Sequence, residues 1–204
     1  MKRSFLSALV VFGLMSPPVW ADDDAVRARV LSSAALAAML TGYEAYQAGD
    51  FAAAMIAWRP YAEVAPHRVQ YLYARLVGQG QGSEANPTAA AALLNEPAQH
   101  EHPEALYLLG LSLRASGDVA AGIKQLSAAA NQDWPDAHYA LGQLYEVGEG
   151  VEGDLVEALF RYGVAIGLGH LLALARVEPL IERMSPGQVL LAHQRAATHL
   201  MTPE

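Results

Sequence analysis

The 204-residue chain contains no cysteine. That excludes a disulfide framework, a thiol nucleophile, cysteine-ligated zinc and a lipoprotein anchor. Charge is scarce as well, at 17% of residues, and basic side chains are outnumbered, 13 Lys and Arg against 21 Asp and Glu. A net charge of −8 repels a duplex or an anionic membrane, so nucleic acid is not an expected partner. Past the N-terminus no window approaches the ~18 uninterrupted apolar residues of a membrane span. What is present, 53% hydrophobic residues with much alanine, is the composition of packed helices rather than of a disordered chain.

Residues 1–21 read as a secretory signal. Lys2 and Arg3 form the positive start, and Phe5 to Met15 an apolar stretch too short to cross a bilayer. Ser16, Pro17 and Pro18 break any helix, and Val19-Trp20-Ala21 places small residues at the first and third positions before a cut. Cleavage removes two positive charges and leaves Asp22-Asp23-Asp24 at the new terminus; an uncleaved anchor is the alternative. The expected location is therefore the periplasm, without membrane insertion after cleavage, as a monomer.

An internal period organises the rest. Asp50, Asn86, Asp118 and Asp154 are helix N-cap residue types, and each is followed eight residues later by Trp58, Leu94, Leu126 or Tyr162. Four after each stands Ala54, Ala90, Gly122 or Ala158, on the same helical face. From Asp50, Asn86 and Asp118 to the next small residue, Ala74, Gly110 or Gly142, the spacing is 24 every time. Only the loop inside each pair changes, being longer around Gly78–Gly82 and Gly148–Gly153. Constant spacing with insertions confined to one loop predicts an all-α solenoid of about four helix-turn-helix units, at 35–66, 67–102, 103–134 and 135–170. The longer loops are expected to tolerate trimming, and Pro97 to end the second helix of its unit early. A lead-in helix is expected at 22–34 and a helical cap at 171–204. Glu178 stands where a further small residue would fall, and Ser185-Pro186-Gly187-Gln188 starts a last helix to about His199.

Ala137-His-Tyr-Ala-Leu-Gly-Gln-Leu-Tyr145, followed by Gly148-Glu-Gly-Val151, Asp154, Ala158, Tyr162 and Ala165, resembles a Sel1-like repeat, a relative of the tetratricopeptide repeat. Ala105–Leu111 with Ser116-Gly-Asp118 is similar but has the short tetratricopeptide loop, and Tyr46–Phe51 with Trp58–Ala62 resembles the opening unit of exported bacterial members. The resemblance covers roughly residues 35–170. It implies a right-handed helical solenoid used as a scaffold, with the first-helix tyrosines facing a concave groove.

Chemistry is sparse. His100-Glu101-His102 with Glu104 has metal-ligand types but flanks Pro103 in a turn without a fourth ligand, and His193 and His199 are six apart and share no helical face. No metal site, no catalytic residue and no cofactor are expected. Glu146, Glu149, Glu152, Asp154 and Glu157 lack the alternation of a calcium loop and read as a solvated acidic edge open to a basic partner. Tyr71, Tyr107 and Tyr139 each precede the small residue of their helix by three, with Arg75 and Gln143 one after it, Arg114 four after it and Tyr43 beside Gly42. These seven are the candidate partner-binding residues; the competing reading packs the tyrosines between helices. The function expected is an exported, non-catalytic adaptor, a scaffold or regulator holding a protein or peptide in the cell envelope. The alternatives are an accessory of a cell-wall-active enzyme and a small periplasmic metal binder.

Overall fold

The computed structural model describes residues 33–62, 65–99 and 102–202. The signal, all of the lead-in helix before Ser33, and the His100-Glu101 pair lie outside the described residues. Ten α-helices and two short 3-10 turns occur among the described residues, and no strand. One compact unit, ending at Gln99, holds α1 (Ser33–Gln47), α2 (Phe51–Trp58), which runs on into the 3-10 turn Arg59–Tyr61, α3 (His67–Gln79) and α4 (Pro87–Gln99). The other holds α5 (Pro103–Ala115), α6 (Val119–Ala130), α7 (Pro135–Val147), α8 (Leu155–Gly167), the 3-10 turn Leu171–Ala173, α9 (Leu174–Ile181) and α10 (Pro186–Met201). The helices pack as successive hairpins, α1 with α2, α3 with α4, α5 with α6 and α7 with α8.

Each second helix starts at its predicted cap. Asp50 accepts from the Ala53 amide at 3.0 Å, Asn86 from Ala89 at 2.9 Å and Asp118 from Ala121 at 3.1 Å. Asp154 takes both the Val156 and Glu157 amides, at 2.8 and 3.1 Å. Each bond satisfies an amide that the helix itself leaves open, a contribution of about 1 kcal/mol.

Inside each hairpin the small residue of the first helix faces the large residue of the second. A Cβ on Gly42 would overlap the Trp58 indole, one on Gly142 would come 2.6 Å from Tyr162 Cε1, and one on Gly110 2.8 Å from Leu126 Cγ. Ala74 and Leu94 take these places in the second hairpin. Trp58, Leu94, Leu126 and Tyr162 are all fully buried, as are Ala54, Ala90 and Ala158 beside them. The repeated spacing is thus a packing rule: absence of a side chain on one helix makes room for a ring or a leucine on the other.

Three expectations need correction. Helix α4 continues through Gln99, so position 97 lies within its last turn and does not end it. The long loops are not free insertions. Gly82 and Gly150, each four residues before an N-cap, reach back to the second helix of the preceding hairpin. A Cβ on Gly82 would lie 2.7 Å from the Ala52 amide, and one on Gly150 would overlap Val119 and approach Ile123 Cδ1 at 2.8 Å. Both adopt positive φ, 85° and 72°, so glycine is required twice over, for conformation and for space. The acidic edge, too, is largely consumed inside the fold. Glu146 binds Tyr162, Arg176 and Arg183, Glu149 binds Arg114, Asp154 caps α8, and Glu157 binds Arg161 and Arg195. The basic partners lie mostly on α5, α9 and α10, remote in sequence, so the linear run of acids concealed them.

At the C-terminal end, Ser185 and Gln188 form the expected capping box, and α10 extends two residues beyond His199. It lies on α8, where Gly163 and Ala196 meet closely and Gly167 admits Leu200. Glu178, in the register of the small residues, is exposed on α9.

Two predictions follow from this packing. Leu126→Ala should lower stability by about 2–5 kcal/mol in urea denaturation, the range for a buried leucine. Gly150→Ala should cost about 1–3 kcal/mol, and more than Gly117→Ala, because Gly117 also has positive φ, at 101°, but open space around it.

Candidate functional site

In the unit ending at Gln99, Arg75 extends from α3 over the Tyr46 ring, 5.5 Å from its centroid. That ring also meets Phe51 at 5.6 Å and Trp58 at 5.9 Å, so the cation sits on an aromatic cluster anchored in the core. Tyr43, on α1, is half-buried. Tyr71 is only 9% exposed, so the packing reading holds there: its ring is part of the core and offers a partner little area.

The other unit gathers four of the seven. Tyr139, on α7, lies between His170 and Tyr162, with ring centroids at 4.5 and 5.7 Å, and its hydroxyl accepts from Gln143 Nε2 at 3.2 Å. His170 is in turn held by Asp136, Nδ1 to Oδ1 at 2.8 Å. Tyr107, on α5, is half-buried; burial and the nearby Asp136 carboxylate push its phenol up to about 12, against the opposing charge of Arg114. It therefore stays a neutral donor at physiological pH. Arg114 pairs with Glu149 through Nε at 3.1 Å, both side chains being about one-third or more exposed. Its charge is consequently shared with the loop.

Next to this surface lies an ionic clamp that local sequence patterns did not reveal. Glu146 Oε2 accepts from Tyr162 Oη at 2.7 Å and from Arg176 Nη2 at 2.8 Å, while Arg183 stands 3.6 Å from Oε1. Burial acts to raise the Glu146 carboxyl, but the two hydrogen bonds and the two guanidinium charges outweigh it and hold the group below the usual range. Burial first, then the hydrogen bond to Glu146 and its charge, raise the Tyr162 phenol, against the lowering effect of Arg176. Helices α7, α8 and α9 are joined by this one carboxylate.

A second cluster joins residues far apart in sequence. Asp133 Oδ1 lies 2.8 Å from His199 Nε2 and 3.9 Å from His138 Nε2, and the two imidazoles meet edge-on with centroids 5.5 Å apart. One ligand atom from each residue falls within 4.8 Å of the others. Comparing His199 only with His193, with which it shares no helical face, did not disclose this cluster, since its members come from the α6–α7 turn, α7 and α10. Burial pushes the His138 imidazole down to about 4, with Arg161 and His199 adding to the effect and Asp133 and the Ala130 carbonyl opposing it.

No family model matches the chain, and no curated protein matches its sequence. Solved structures do. A Sel1 repeat protein from Oxalobacter formigenes superposes with a TM-score of 0.57 at 23% identity, over 78% of this chain and 70% of that one. The fold is that of Sel1-like repeat proteins. A second similar structure is c5321, a protective antigen present in uropathogenic Escherichia coli strains and displaying the same fold. It has a TM-score of 0.52 at 19% identity and covers 82% of this chain, which spans 45% of that one. The expected all-α solenoid and the resemblance of the repeats are both supported. At these identities the likeness concerns architecture, and the side chains that line each surface must be judged on their own chemistry.

The clamp sets a pH dependence. A carboxyl held low in the folded state contributes stability that is complete above its unfolded pKa, near ~4.3, and disappears as pH falls through the folded value. Glu146→Gln should therefore lower stability at neutral pH by roughly 1–3 kcal/mol and flatten the acid side of the stability curve, as followed by thermal melts from pH 7 to 3.

Proposed function

We propose that this chain is an exported, non-catalytic helical-repeat adaptor that binds a protein or peptide in the cell envelope, as a scaffold or regulator. Its layout in this reading is a signal at 1–21, a lead-in helix, four repeats over 35–170 and a helical cap. The observation that carries the binding role is the ordered polar surface made by Tyr107, Arg114, Tyr139 and Gln143. Its members are half-buried, and three of them are held by named neighbours: Gln143 on Tyr139, Tyr139 between two rings, and Arg114 on Glu149. Side chains already held in place lose little freedom when a ligand arrives, and tyrosine and arginine are residue types that dominate interface energetics. A ligand carboxylate can displace Glu149 from Arg114 at small cost, because an exposed pair is worth only ~0–1 kcal/mol. Export rests on the leader, whose apolar core suits a cleaved signal.

Two experiments test this reading. Mass spectrometry of the protein recovered from a periplasmic extract should find a chain beginning at Asp22; a protein retaining residues 1–21 in the cytosolic fraction would refute export. For binding, in-cell crosslinking and capture should be compared between the wild type and the double variant Arg114→Ala, Gln143→Ala. Capture should weaken by ~2 kcal/mol or more, about thirtyfold, with little change in melting temperature. Equal capture by both proteins would place the contact elsewhere.

A further inference from the structure

His138 occupies an uneasy place. Its ring has no solvent exposure; the Ala130 carbonyl faces it as an acceptor, but no hydrogen bond of ordinary geometry reaches either nitrogen among the described residues. In the repeat register, four before the small residue, the preceding unit has Leu106, which is also buried. The second unit has the buried Gln70 at this register, so an imidazole stands in a core position that holds leucine in one unit and an amide in another, with Nε2 3.9 Å from an Asp133 oxygen. Burying a polar group that is only weakly satisfied is unfavourable, and such a group calls for a ligand or another use.

Asp133 is unusual for a second, independent reason. Among the described residues it is the only non-glycine with positive φ, at 54°. The matching position 36 residues later, in the turn after α8, is Gly169, with φ of 98°. The turns correspond in hydrogen bonding too, since Trp134 donates to the Ala129 carbonyl as His170 does to Ala165. An aspartate thus stands in a left-handed turn where glycine would be unstrained, and its carboxylate is turned toward His138 and His199.

We infer that Asp133, His138 and His199 form a binding site for a first-row divalent metal ion of the Zn²⁺ type. Two imidazoles and one carboxylate, each offering one atom within 4.8 Å of the others, match the ligand set and reach of a three-residue zinc site. Tetrahedral coordination draws the His138 and Asp133 atoms together by a few tenths of an ångström and separates His199 from Asp133 by a similar amount. Asp133 is about half exposed and His199 about one-third, so the fourth position faces solvent. The nearby positive charge of Arg161 is offset by Glu157, at 2.8 Å. The ion would tie α10 to the α6–α7 turn, and this assignment stands independently of the adaptor reading. It differs from the His100–His102 turn considered from sequence, because its three ligands come from three separate elements.

The test uses the mature chain, freed of metal with a chelator, titrated with Zn²⁺ by calorimetry and melted with and without the ion. Wild type should bind one ion per chain and melt at a higher temperature in its presence. Asp133→Gly and His138→Leu restore the residues found at these positions in neighbouring units, so both should fold. Each should lose Zn²⁺ affinity at least tenfold, the scale seen when even an outer partner of a metal ligand is removed, and lose the Zn²⁺-dependent rise in melting temperature. His199→Gln should do the same, while His193→Gln should bind as wild type. Absence of saturable binding, or Zn²⁺ affinity unchanged in Asp133→Gly and His138→Leu, would overturn the assignment; the second result would locate adventitious ions on the exposed histidines.

Discussion

The structure depends on a void filled from the opposite side. Where one helix of a hairpin carries glycine or alanine, the other presents a tryptophan, leucine or tyrosine with no solvent exposure. This contact is made at Gly42, Gly110 and Gly142, and the second hairpin has the buried Ala74 and Leu94 at the same register. The N-caps, glycine turns and small residues at four after each cap then bring the same surfaces into contact in each hairpin. A methyl group added at Gly42 or Gly142 would collide with the buried ring opposite, and one at Gly110 with Leu126 and the Gly122 carbonyl, which is why the packing is sensitive at those points.

From that constraint the ionic features acquire their meaning. Helices α9 and α10 lie outside the repeated pattern, and their attachment draws on charge as well as apolar contact. Arg176 and Arg183 reach Glu146, and Arg195 reaches Glu157, both acids being mostly buried. Leu180, Ala192 and Ala196 complete the seam against the last hairpin. A chain with so few charged residues thus uses a substantial part of its acidic run to hold its own C-terminal helices, leaving Glu152 as the exposed remainder of the apparent edge.

The candidate surfaces differ in how legible they were. The register of Tyr107, Tyr139 and Gln143 was visible because a helical repeat presents equivalent positions on equivalent faces. Whether each ring was core or surface was not, since that depends on what packs against it: Tyr71 is buried, whereas Tyr107 and Tyr139 are only partly so. Arg114 was assigned to the right helix, but its pairing with Glu149 follows from a loop folding back. The cluster at Asp133, His138 and His199 could not be read at all, although one local signal existed: a histidine at 138 where the preceding unit has Leu106.

Sequence alone determined the helical class, the period, the cap residues and the identity of the buried large side chains. These are properties of spacing, and spacing along a helix translates directly into faces. Only the tertiary structure decided the fate of the charges and the loops. Glu146 meets Arg176 30 residues away, and Asp133 meets His199 66 residues away, by the return of the chain over itself. Gly82 and Gly150 are held by helices of the preceding hairpin for the same reason. Local pattern carries information over one or two helical turns, whereas these contacts arise when separate helices stack.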